Sequence, residues 1–144
     1  MAYQINLTLP AGWKSEQDTF LDESGVEISH AEATLSGKGR DDARIDIYVG
    51  DMPEGETAED QAFANYADTV GFDETDPEDF CPIEKLKFNN RNACAFEALC
   101  EDDSPMRFIS CEIRKGVLAI IVFAAKDDDL LNEVHSLLEK GFRV

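Results

Sequence analysis

Apolar and polar residues alternate from the start of the chain. Tyr3, Ile5, Leu7 and Leu9 are separated by Gln4, Asn6 and Thr8, the period-2 pattern of a strand with one face in a core. Pro10 ends that strand and Ala11-Gly12-Trp13 turns the chain away. Phe20-Leu21 and Val26-Glu27-Ile28 flank Asp22-Glu23-Ser24-Gly25, which predicts a hairpin with an acidic tip. After a loop over 37–42, Ala43, Ile45, Ile47 and Val49 alternate with Arg44, Asp46 and Tyr48, a second half-buried strand. Met52-Pro53-Glu54-Gly55 breaks the pattern and Thr57 is a good N-cap. Ala58, Ala62, Phe63, Tyr66, Ala67 and Val70 then recur at helical spacing as far as Gly71, and Glu59 and Asp60 suit the first turn of that helix. An acidic loop over 72–82 follows.

The second half reads as a meander. Strands are expected over 83–88, 93–101, 106–114 and 117–125, with turns at Asn89-Asn90-Arg91-Asn92, Asp102-Asp103-Ser104-Pro105 and Lys115-Gly116. Asp127 caps a last helix whose stripe is Leu130, Leu131, Val134, Leu137 and Leu138, and Gly141 stands at its C′ end. A two-residue turn at Lys115-Gly116 pairs Ile113 with Leu118, Cys111 with Ile120 and Ile109 with Val122. The other face pairs Ser110 with Ile121 and Phe108 with Phe123. Both faces of 117–125 are apolar, so this strand is expected at the centre of the sheet and covered on both sides. With two amphipathic helices to cover it, the expected fold is α+β: a largely antiparallel sheet with helices packed on both faces, an α/β/α sandwich. No repeat, low-complexity tract or linker divides residues 1–144, which read as a single domain. At that length about 70% of the unfolded surface is buried on folding, so neither metal nor disulfide is required.

Charge narrows the function. The 31 acids and 13 bases leave a net charge of −18, while 43% of residues are hydrophobic, so the acidity lies on a folded body. Residues 1–80 hold 20 acids against four bases, and no Lys or Arg occurs between Asp46 and Phe80. Nucleic acid and membrane surfaces, which need Lys and Arg to displace counterions, are excluded as partners. A basic protein is the natural partner, through Glu56, Glu59, Asp60, Asp68, Asp73, Glu74, Asp76, Glu78 and Asp79; the alternative is that the acidity only keeps the chain soluble. Exposure of Trp13 or Tyr48 beside the acidic face would strengthen the interface reading, since aromatic anchors carry interface energy. The N-terminus has no signal-peptide pattern and the longest apolar run is too short to span a bilayer, so a cytoplasmic location is expected.

Candidate chemistry is sparse. Cys81, Cys94, Cys100 and Cys111 form no C-x-x-C pair and read as reduced small hydrophobes; Cys81 alone falls in a loop. Of the two histidines, His30 has no partner at a telling spacing and His135 falls at the margin of the last helix's stripe. No P-loop, G-x-G-x-x-G, G-x-S-x-G or H-E-x-x-H occurs. The run from Asp73 to Asp79 lacks the glycine and closing Glu of an EF-hand, and Asp127-Asp128-Asp129 is what a helix start ordinarily carries. No cofactor, metal site or catalytic residue is expected.

The opening Ile5-Asn6-Leu7-Thr8-Leu9-Pro10-Ala11-Gly12-Trp13 resembles the strand followed by Leu-Pro-x-Gly-Trp that begins members of the Mog/PsbP-like superfamily. Three later pieces are similar to that family as well: Ala43 to Val49 with Met52-Pro53, the turn at Asn89 to Asn92, where Asn90 replaces a glycine, and the closing Gly141-Phe142-Arg143, where Gly141 replaces a serine. The resemblance implies an antiparallel sheet between helices and a mostly non-enzymatic role as adaptor, chaperone or binding factor. Together these features lead to the expectation of a non-enzymatic cytosolic protein-binding module, an adaptor, chaperone or neutralising partner of a basic protein. The alternative is a small-ligand or divalent-metal binding domain with its site in a sheet–helix cleft, and an enzyme with a carboxylate site comes last.

Overall fold

The computed structural model describes residues 3–23, 25–36, 41–52, 84–89, 91–99 and 104–143, with Gly55, Thr57 and Asp60. Its two-faced apolar strand, β8 (Val117–Ala125), stands in the middle of a seven-stranded sheet. On one side of it lie β4 (Asp41–Asp51), β3 (Glu27–Ser36) and β2 (Trp13–Leu21), in that order outward. On the other lie β7 (Pro105–Arg114), β6 (Arg91–Leu99) and β5 (Glu84–Phe88). Every pairing is antiparallel. The tight turns use the residues that their geometry requires: Gly116 has φ 77° and Asn89 has φ 52°, conformations open to glycine and tolerated by asparagine.

A single helix is described, α1 (Asp128–Gly141), and it covers one face of the sheet. Asp127 caps it, accepting a 2.8 Å hydrogen bond from the Leu130 amide. Leu131, Val134 and Leu138 are fully buried beneath it, each contributing roughly 1.5–3 kcal/mol of hydrophobic stabilisation as an upper bound. They meet Ile45, Ile47 and Val49 of β4, Ala119, Ile121 and Phe123 of β8, and Ile109 and Cys111 of β7 in one core. Behind α1, β9 (Phe142–Arg143) pairs with β1 (Asn6–Leu7) in a separate two-stranded ladder. Ile5, buried at 2% exposure, and two hydrogen bonds, Tyr3 N to Ser29 Oγ (2.8 Å) and Gln17 Nε2 to the Ile5 carbonyl (2.8 Å), tie the N-terminal segment to β2 and β3.

The expected α/β/α sandwich, with helices on both faces, is overturned. The fold is mostly β, a seven-stranded antiparallel sheet plus one C-terminal helix among the described residues. The physical reason lies on the other face. Between β2 and β4 it carries Glu16, Asp18, His30, Glu32, Arg44 and Asp46, side chains that belong in water and against one another rather than under a helix. The apolar side chains that β8 presents there, Ile120 and Val122, are half-buried, next to Phe108 and Phe96, whose rings stack at 4.5 Å. The helix expected over 58–70 lies outside the described residues; Thr57 and Asp60 make the reciprocal contacts of a helix N-terminus, Thr57 N to Asp60 Oδ2 (3.0 Å) and Asp60 N to Thr57 Oγ1 (3.2 Å).

Three smaller expectations are corrected. The β7–β8 register is displaced by one: Arg114 pairs with Val117 but Glu112 with Leu118, because a bulge takes up Ile113, so Cys111 meets Ala119 and Ile109 meets Ile121. The alternating Tyr3–Leu9 segment does not join the main sheet; only Asn6–Leu7 is a strand, and its partner is β9. Gly141 is the last helical residue rather than a left-handed cap. A Cβ there would lie 2.3 Å from the Thr8 carbonyl oxygen, so glycine is needed for close approach of the N-terminal segment.

Candidate functional site

The pleat of β2, β3 and β4 sends Asp18, His30 and Asp46 to the same side of the sheet, away from α1. Asp18 stands directly opposite His30 across the β2–β3 hairpin, and Asp46 stands opposite Glu32, one pleat along. His30 is thereby clamped through both ring nitrogens: Nδ1 lies 2.8 Å from Asp18 Oδ1 and Nε2 lies 3.0 Å from Asp46 Oδ1. Its flat face stacks on Tyr48 at 4.7 Å, and the Phe20 ring stands edge-on to both rings. Arg44 completes the group, with Nε 3.0 Å from Asp46 Oδ2 and Nη2 3.3 Å from Glu32 Oε1.

Two carboxylates on two ring nitrogens call for two N–H donors, which is the imidazolium form. Burial works against that charge, but the hydrogen bonds that His30 donates to Asp46 and Asp18 outweigh it and raise the His30 pKa above its usual 6.5. The same charge pattern acts on its neighbours. Tyr48 is pushed up, first by burial and then by the Asp46 carboxylate. His30 and Asp46 are mostly enclosed, at 14% and 16% side-chain exposure, whereas Arg44 is 55% exposed and Glu32 37%. The group is therefore a half-desolvated pair bordered by two more exposed side chains.

His135 is placed differently. It lies half-buried on α1, edge-on to Phe88 and Phe123, with Nδ1 3.0 Å from Arg107 Nη1 and Nε2 2.9 Å from Glu139. Burial and the Arg107 charge lower its pKa. Arg107 also pairs with Glu97 and donates to Asn132 Oδ1 (3.1 Å), so this cluster fastens α1 to β6 and β7. It lines a cleft of about 430 Å³ with Glu84, Leu86 and Phe96. Burial pushes the Cys111 thiol up to about 11, which leaves it protonated and unreactive; Cys94 is likewise buried and outside any disulfide.

Of the nine acids expected to bind a partner, Asp60 alone falls among the described residues, where it is exposed; Glu56, Glu59, Asp68, Asp73, Glu74, Asp76, Glu78 and Asp79 lie outside them, as do Cys81 and Cys100. Trp13 is half-buried against the core and Tyr48 half-buried against His30, so neither is an exposed anchor. Among the described residues the large exposed hydrophobics are instead Phe20, at 42%, and Leu21, at 67%, at the end of β2. The clamp on His30 escaped the sequence reading because its carboxylates stand 12 and 16 positions away. One signal was there: carrying the hairpin's register two residues past Phe20 and Ile28 sets Asp18 opposite His30.

The site thus belongs to an open antiparallel sheet, helix-covered on one face and charged on part of the other. Comparison with known proteins returns no matching family model, no similar curated protein and no similar solved structure. None of the described helices is long and apolar enough to cross a membrane.

Proposed function

We propose that this chain is a non-enzymatic protein-binding module whose acidic surface receives an extended basic segment of a partner protein. The observation that carries the reading is the outer edge of β2. That strand is exposed at every position after Trp13, and among the described residues no strand pairs with its outer side. An unpaired edge offers a row of backbone donors and acceptors to an added strand. Phe20 and Leu21 supply apolar contact at its end. Residues 13–36, the hairpin that bears this edge, contain six acids (Glu16, Asp18, Asp22, Glu23, Glu27 and Glu32) against Lys14 alone. A lysine- or arginine-rich segment laid along β2 gains charge complementarity together with strand pairing. The acids from Glu56 to Asp79 would add to the negative charge of the chain, and the proposed binding role is a cytoplasmic one.

The test is a pull-down with the purified tagged chain from cytosol at low and high salt, followed by mass spectrometry and titration of the captured protein. Expected is one stoichiometric basic protein, released at high salt, whose affinity falls at least about tenfold with Phe20→Ser/Leu21→Ser and with Glu16→Lys/Glu23→Lys. A second set, Glu59→Lys/Asp60→Lys/Asp68→Lys, separates the β2 surface from the acids further along. Capture that is independent of salt and indifferent to all three sets would refute the proposal.

A further inference from the structure

One donor atom from each of His30, Glu32 and Asp46 comes within 4.8 Å of the other two. All three project from the same face of two adjacent, fully paired strands, so the backbone beneath them is fixed. We infer that His30, Glu32 and Asp46 form a binding site for one divalent first-row transition-metal ion, of which zinc is the reference case, with Asp18 as the carboxylate that orients the histidine.

The argument is geometric. Zinc takes imidazole nitrogen and carboxylate oxygen at about 2.0–2.2 Å, which sets two donors of a tetrahedral ion about 3.4 Å apart. Donors within 4.8 Å of one another need to close by at most about 1.4 Å, a movement open to Glu32, the longest and most exposed of the three at 37%. The outer contacts are also those of a metal-bound histidine. Nε2 faces the Asp46 carboxylate at 3.0 Å while Nδ1 is held at 2.8 Å by Asp18, the carboxylate–histidine–metal order that fixes ring orientation and raises ligand basicity; the ion takes the place of the Nε2 proton, which is released to water. The place between the two acidic ligands already attracts a cation. Arg44 reaches Asp46 Oδ2 at 3.0 Å and Glu32 Oε1 at 3.3 Å, and, being 55% exposed, it can swing into solvent when an ion takes over both oxygens. Metal and guanidinium therefore compete for the same pair of carboxylates.

The donor set gives the ion class. One imidazole and two carboxylates suit zinc and its neighbours, whereas calcium and magnesium take all-oxygen shells of six or more ligands. A surface that is merely acidic has no reason to make that distinction. Three protein ligands leave one tetrahedral position open to water or to a group from a partner.

The test is calorimetric titration of the chelator-treated full chain with zinc chloride, and with calcium and magnesium as controls, at physiological salt. Expected is one saturable zinc site per chain, a raised thermal midpoint with zinc alone, and affinity reduced at least about tenfold in Glu32→Gln, His30→Asn and Asp18→Asn. Arg44→Gln should bind zinc more tightly than the parent chain, because it removes the competitor; this variant and Glu32→Gln alter exposed side chains and keep the fold testable if His30→Asn fails to fold. Several weak sites unaffected by Glu32→Gln, an equal response to magnesium, no response to zinc, or weaker binding in Arg44→Gln would each overturn the assignment. The titration uses the chain alone, so its failure leaves the protein-binding proposal standing.

Discussion

Gly141→Ala should destabilise this protein although it puts a better helix former into a helix. In an exposed helix interior the change from glycine to alanine stabilises by about 1 kcal/mol. Here the added Cβ would lie 2.3 Å from the Thr8 carbonyl oxygen and 3.3 Å from its carbon. Relief to 3.0 Å, the closest that real Cβ atoms approach, needs a shift of 3.0 − 2.3 = 0.7 Å. The backbone of residues 5–8 cannot yield that freely. The Thr8 amide donates to the Gly141 carbonyl at 2.9 Å, Asn6 and Leu7 are paired with Arg143 and Phe142, and Ile5 and Phe142 are buried in the core. Overpacking costs about 1–3 kcal/mol and loss of the Thr8 bond about 1 kcal/mol more. Set against the propensity gain, the net is a loss of roughly 1–3 kcal/mol, which lowers the thermal midpoint by about 3–10 °C in a chain of this length. Urea unfolding followed by far-ultraviolet circular dichroism reads it directly. A midpoint that stays put or rises, with unchanged slope, would show that the N-terminal segment does not press on the helix end and that the contact account is wrong.

The two histidines should titrate on opposite sides of 6.5, their ordinary value. Because His30 is raised, its contribution to stability is complete below pH 6.5 and is lost as pH rises through its folded pKa. His135 is lowered, so its contribution is complete above 6.5 and is lost as pH falls through its folded value. Imidazole proton resonances of chelator-treated protein, followed between about pH 5 and 8, test the order, which a His30 pKa below that of His135 would contradict. Asp127→Ala removes the cap on α1 and should cost about 0.5–2 kcal/mol by urea unfolding, with Asp127→Asn close to the parent chain; equal losses in both would mean that charge rather than the hydrogen bond to Leu130 stabilises the end.

What the sequence made legible follows burial. Val117–Ala125 is apolar on both faces, and it stands at the centre of the sheet. The last helix, with Asp127 as its cap, was readable because Leu131, Val134 and Leu138 are its buried stripe. By contrast β2 was recognisable only at its Phe20-Leu21 end. From Lys14 to Thr19 it has no apolar residue, since an edge strand exposed along its length is held by its backbone ladder to β3 and leaves no period-2 signal. The buried face of β3 is made largely by Ser29, Ala31 and Ala33, too small to register as a core pattern, so that strand was seen only at its first residues. The bulge at Ile113 was hidden for another reason: shifting the register by one set apolar residues against the apolar β8 in either alignment. Two-faced apolarity located β8 correctly, yet it misled about helices on both sides, because lateral packing against Phe108 and Phe96 gives its second face part of its cover.

The candidate site was illegible because its parts come from three strands and only register joins them. Its energetics still bear on function. Holding an imidazole between two carboxylates removes three polar groups from water to different degrees, and replacing such clusters by apolar residues is often neutral or stabilising. The neighbouring half of the same face shows that this sheet accepts apolar side chains there, with Phe96 at 2% exposure and Leu118 at 8%. Stability therefore does not require His30, Asp18 and Asp46 on β2, β3 and β4. Nor does solubility, since a chain of net charge −18 has no need of two more carboxylates. Arg44, one of only four basic residues before position 81, is stationed between Asp46 and Glu32. A charge cluster that neither folding nor solubility demands, closed by an exposed cation, points to a ligand of positive charge. At the ring the ligand we infer is a metal ion, and along the β2 edge beside it the partner we propose is a basic peptide.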